Sequence, residues 1–105
     1  MMDLDQYQRS AMTFRLPTAD REYALLNLFA EAGEVAGKAA KHRRDGGDIE
    51  EYNMHIKKEL GDVLWQLAAV AKDHGWMLSQ VASHNLEKLA SRQKRDVIQG
   101  SGDLR

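Results

Sequence analysis

Four carboxylates in two matched pairs are the residues best equipped for chemistry. Glu31 and Glu34 stand in Glu-Ala-Gly-Glu, and Glu59 and Asp62 in Glu-Leu-Gly-Asp. At i, i+3 spacing on a helix, both acids of a pair share one face, with Cβ atoms roughly 5–6 Å apart. Like charges at that spacing destabilise a helix unless something neutralises them. A single such pair is ordinarily a solvated charged face. Two pairs facing each other form an all-oxygen cage suited to a hard divalent cation such as Mg²⁺, with Mn²⁺ a possible substitute.

Cationic and aromatic groups stand near these acids in the helical pattern. Lys38 lies one turn past Glu34 on the same stripe. Asn85, Lys88 and Arg92 form a stripe at i, i+3, i+7 further on. Lys and Arg can contact phosphate oxygens, and Asn can bond a phosphate or orient a carboxylate. Cations near a helix C-terminus also simply complement its dipole, a reading that weighs evenly for Arg92. Trp65, a turn after Asp62, has a ring able to stack on a nucleobase, although such a tryptophan more often packs in a core. Tyr7, Gln8 and Phe14 are further candidates for a base pocket.

The elements that must position these groups are helices. The chain has one proline and long runs of helical period, without strand-like alternation, so the fold class is all-α. A first helix is expected over 4–14, with Asp3 and Gln6 as a capping box, closed by Pro17. A second, over 19–44, carries an apolar face of Leu25, Leu28, Phe29, Ala32, Val35 and Ala39. It also carries a face of Ala30, Gly33, Gly37 and Ala40, whose mid-helix glycines imply close approach of another helix. Asp45-Gly46-Gly47 is a turn. The third helix starts at the Asp48 cap and ends near Asp73, before His74-Gly75. Its expected apolar face is Ile49, Tyr52, Ile56, Leu60, Val63, Leu64, Leu67 and Val70, with His55, Glu59, Asp62 and Gln66 along the border. Ser79 is the expected cap of a fourth helix reaching about Arg92, with Ala82, Leu86 and Leu89 inward. The tail 100–105 is Gly-rich and polar, and expected to be loose.

Composition bounds the rest. At 105 residues the chain is one domain, 1–105, whose small core would benefit from oligomerisation. A net charge of −1 gives no field favouring nucleic acid or anionic membrane. The absence of cysteine fits a reducing compartment, and no apolar run approaches a membrane span, so a cytoplasmic protein is the expectation.

The combined motifs resemble those of the MazG-like all-α nucleoside triphosphate pyrophosphohydrolases. The matching segments are 4–8, Glu31-Ala-Gly-Glu-Val35, 58–65, Asn85-Leu-Glu-Lys-Leu89 and Gly100-Ser-Gly-Asp103. The family pattern is Glu-Glu-x-x-Glu followed by Glu-x-x-Asp; here Ala30 and Lys58 stand where many members carry Glu. The resemblance implies a four-to-five-helix bundle completed by dimerisation, as a homodimer or a dimer of dimers. It implies Glu31, Glu34, Glu59 and Asp62 as catalytic metal ligands for Mg²⁺. Asn85 and Lys88, and more weakly Arg92, would serve the phosphates. The implied substrate is a nucleoside triphosphate, cleaved between its α and β phosphates. Two alternatives share the platform: a phosphoribosyl-ATP type of pyrophosphatase, and a non-enzymatic helical module that uses the acids for a structural ion or a basic partner.

Overall fold

The computed structural model describes residues 1–103. They form four helices and, among the described residues, no strand: α1 (Leu4–Met12), α2 (Arg21–Asp45), α3 (Ile49–Asp73) and α4 (Leu78–Lys94). The all-α expectation holds.

Each helix start has a local cause. Asp3 accepts the Gln6 N–H at 2.7 Å while Gln6 Oε1 accepts the Asp3 N–H at 2.8 Å, a reciprocal capping box. Asp20 caps α2 through the Tyr23 N–H and Asp48 caps α3 through the Glu51 N–H, each at 2.9 Å. Between α2 and α3 the chain reverses through Gly46 and Gly47, at φ 73° and 121°, a region that side chains with a Cβ rarely enter. This short turn forces α2 and α3 to run antiparallel, and theirs is the most extensive helix contact in the molecule. His42 and Tyr52 stack across the hairpin near its tip, with ring centroids 4.0 Å apart.

α1 is the clip that joins the far end of this hairpin to α4. Gln8 is only 3% exposed. Its Nε2 donates to the carbonyls of Ala68 and Trp76, both at 3.1 Å, and its Oε1 accepts the Leu78 N–H at 2.8 Å. Asp5 accepts both the N–H and the hydroxyl of Ser79, at 2.9 and 2.6 Å. Ser79 is therefore not the cap of α4. The cap position is Met77, and an acid from another helix takes the free N–H in the first turn. Arg15 secures the α1–α2 loop, with a two-pronged pair to Asp73 at 2.8 Å and bonds to the carbonyls of Ala19 and Asp20.

The core is small. Ala11, Met12, Ala24, Ala68, Ala69, Ala71 and Leu78 are buried, with Tyr7, Leu64, Trp65 and Val70 packed against them. Among the described residues no large side chain is fully buried. Several expected inward positions are exposed: Leu25 and Phe29 on α2, Ile49, Leu60 and Leu67 on α3, and Leu86 (66%) and Leu89 on α4. α1 stops at Met12, short of Phe14. α4 touches α1 and α3 but not α2. No second helix of the chain approaches the small-residue face of α2, since a Cβ built on Gly33 or Gly37 would meet nothing within 4 Å. The tail folds back through Asp103, so its described part is anchored rather than loose.

Candidate metal centre

The antiparallel hairpin brings acids from both motifs together. Glu31 and Glu34 on α2 and Glu59 on α3 each offer a carboxylate oxygen, and these oxygens lie within 4.8 Å of one another. Glu31 Oε2 and Glu59 Oε2 are enclosed and have no hydrogen-bond partner among the described residues. Enclosure, followed by the charges of Glu34, Asp62 and Glu59, holds the Glu31 carboxyl above the ordinary carboxylate range. For Glu59 the leading cause is the adjoining Glu34 carboxyl, close enough to share a proton. Enclosure and charge add to this, and Lys38 opposes it. Asp62 is exposed and outside the close trio, yet near enough to raise both Glu31 and Glu59.

Partnerless enclosed oxygens in a cluster of like charge are costly unless a cation compensates them. Hard carboxylate donors on two rigid helices suit an octahedral, partly hydrated divalent ion. The residues therefore fit such a metal.

Beside the trio lies a cavity of 530 Å³ lined by Glu34, Glu59, Lys38 and Lys41 and floored by Ala30, Gly33 and Gly37. This space is what the mid-helix glycines leave open in the single chain. Lys38 and Lys41 also line a second cavity at the hairpin tip, with His42, Tyr52 and His55, so the trough continues towards the turn.

The other expected site residues fall elsewhere. Gln8, expected to contact substrate, spends its amide on the tie between α1, α3 and α4. Arg92 is 5% exposed, and its Nη2 donates to the Asp103 carboxylate at 3.0 Å. Lys88 Nζ reaches the same carboxylate oxygen at 3.2 Å. In the single chain these two cations hold the tail, and Arg92 is too enclosed to form an open phosphate wall. Asn85 is exposed on α4, which does not meet α2. Trp65 donates its indole N–H to the Ala11 carbonyl at 3.0 Å, and it also lines a cavity with Phe14, Tyr23 and Gln66. Asp73 was not legible as the partner of Arg15 from local spacing, because the two lie 58 residues apart, and Asp103 lies beyond the end of the helix whose cations it pairs.

A family model for the MazG nucleotide pyrophosphohydrolase domain matches residues 20–97. The chain belongs to the MazG family. The match covers α2, α3 and α4, and thus the whole carboxylate cluster, while the α1 clip precedes it. The chain is also similar to the gene 37 protein of Mycobacterium phage L5. That protein is 45% identical over 85 residues, covering 79% of this chain and 75% of the phage protein. No solved structure matches. Among the described residues no helix is long and apolar enough to cross a membrane.

Proposed function

We propose that the protein hydrolyses (deoxy)nucleoside triphosphates between the α and β phosphates, releasing a monophosphate and pyrophosphate from the cytoplasmic nucleotide pool. The observation that carries this reading is the trio of Glu31, Glu34 and Glu59, with oxygens within 4.8 Å and two of them enclosed and partnerless. The family match supports it.

Glu31, Glu34 and Glu59 would hold Mg²⁺ or Mn²⁺, with Asp62 as the fourth acid. When bound, the ion supplies Lewis-acid polarisation of a phosphate and lowers the pKa of a bound water. The rest of the work is positioning and charge compensation by the chain. Either Glu31 or Glu34 orients the attacking water. Lys38 and Lys41, which line the same cavity as Glu34 and Glu59, compensate the departing pyrophosphate. They take over the role expected of α4 in the single chain.

The test is pyrophosphate release from a panel of nucleotides with Mg²⁺ or Mn²⁺. Glu59→Gln should reduce the rate by at least about 100-fold with folding intact. No release from any nucleotide by the unaltered protein would sink the reading.

The functional unit in this proposal is at least a homodimer. The single chain exposes 8081 Å², where a folded monomer of its mass exposes about 6,000 Å². The excess is more than one partner contributes to a standard interface. Leu25, Leu26 and Phe29, exposed on α2, are the natural contacts.

A further inference from the structure

Gln66 carries a polar group that no atom of the described residues serves. The residue is 6% exposed, and its Oε1 is enclosed without a hydrogen-bond partner. An enclosed amide acceptor left unpaired is destabilising, and natural cores rarely keep one without a use. Gln66 also lines a 420 Å³ cavity together with Phe14, Tyr23 and Trp65. Phe14 and Tyr23 present exposed rings, while Trp65 is half-buried, with its N–H already committed to Ala11. A rim of flat apolar faces around one unpaired amide suits a planar heterocycle with a polar edge.

The position of the cavity fits the same substrate. Gln66 lies one helical turn past Asp62 on α3, about 6 Å along the axis. Tyr23 lies two turns before Glu31 on α2, about 12 Å away. Lys38 and Lys41 lie beyond Glu34 in the opposite direction, beside the other cavity. Along the hairpin the order is therefore aromatic cavity, carboxylates, then cations. A nucleoside triphosphate has the same order: base, α-phosphate, then the leaving pyrophosphate.

The geometry points to the Phe14–Tyr23–Trp65–Gln66 cavity as the nucleobase subsite, with the Gln66 amide as the group that distinguishes one base from another. This assignment rests on the pyrophosphohydrolase reading and adds a direction to it. The base lies against the α1–α2 loop, and the pyrophosphate leaves towards the hairpin tip. The terminal amide torsion of glutamine is soft, so a small swing brings Oε1 to a ligand edge. An amide pairs in two-pronged fashion with an edge that sets a donor beside an acceptor, as Gln does with adenine N6 and N7.

The chain has two tryptophans, so Trp76→Phe leaves Trp65 as the only indole reporter. Nucleoside monophosphates of the four bases, titrated with Mg²⁺ present, should change Trp65 emission with half-saturation values spread over roughly 10-fold or more. Adding Gln66→Met, which keeps length and removes the amide, should collapse that spread to within about 3-fold while Phe14→Ala weakens all four. Absence of any Trp65 response, or a base ranking unchanged by Gln66→Met, overturns the assignment. An equal loss for all bases in Gln66→Met, the pattern of a purely structural amide, overturns it as well. Pyrophosphate release in the parallel assay separates the two readings: activity without a Trp65 response removes this subsite and keeps the enzyme. A base-dependent response without activity keeps the subsite and removes the enzyme.

Discussion

At the residue scale, the carboxylate trio lowers the stability of the metal-free protein. The Glu31 carboxyl is raised chiefly by enclosure and the Glu59 carboxyl chiefly by the adjoining Glu34, so in the metal-free protein their charged forms oppose folding. Removing one charge should relieve this. Glu59→Gln is expected to raise the melting temperature in the presence of a chelator, and to abolish the stabilisation by Mg²⁺ that the proposed site predicts for the unaltered protein. Thermal unfolding with and without metal checks both halves; a lower melting temperature in chelator would contradict the account. Asp73 shows the opposite sign. The Arg15 guanidinium holds its carboxyl below the ordinary carboxylate range. Its contribution is therefore complete above the unfolded-state value and is lost as pH falls through the depressed one. Asp73→Asn should cost about 1.5–3 kcal/mol near neutral pH and flatten the acid limb of the stability profile, measured by denaturant titration.

At the element scale, α1 is a small helix with a large structural share. It buries Gln8, Ala11 and Met12, and through Gln8 and Asp5 it satisfies backbone groups at the end of α3 and the start of α4. Gln8→Leu leaves the Leu78 N–H and two carbonyls without their partner, and should destabilise by about 3 kcal/mol. Because Gln8 is distant from the carboxylate trio in its contacts, metal-dependent stabilisation of the folded fraction should persist. A loss of nucleotide binding with unchanged stability would return Gln8 to the substrate role first expected of it. The pairing of α2 and α3 was readable because it follows from local features: two capped helices, a Gly-Gly reversal and acids at i, i+3. The placement of α4 was not, because it is decided by Gln8 and Asp5, whose bonds to Leu78 and Ser79 join residues far apart in sequence.

At the scale of the whole molecule, the single chain is open. Its radius of gyration is 16.6 Å, against roughly 13 Å for a compact domain of this length. The core is mostly alanine, and Leu25, Leu26 and Phe29 face outward on the longest hairpin. If a second copy covers this face, Leu26→Glu places a charge in the interface. It should convert a dimeric mass to a monomeric one by light scattering at micromolar concentration, with a fall in thermal stability. A monomeric mass for the unaltered protein would refute the dimer.

What the sequence determined by itself was short in range, although it set the α4 cap at Ser79 instead of Met77 and carried α1 past Met12. Helical period, capping residues and the glycine reversal set the elements, and the i, i+3 acids put each pair on one face. What only the tertiary structure decided was which of these groups meet. It drew Glu31, Glu34 and Glu59 into one cluster and set Asp62 at its edge. It bound Lys88 and Arg92 to Asp103, and it turned Gln8 into a buried tie while leaving Gln66 unpaired beside an aromatic cavity. The physical reason is that a side chain's face is fixed by its own helix, whereas its partner is fixed by packing between helices that the local pattern does not encode.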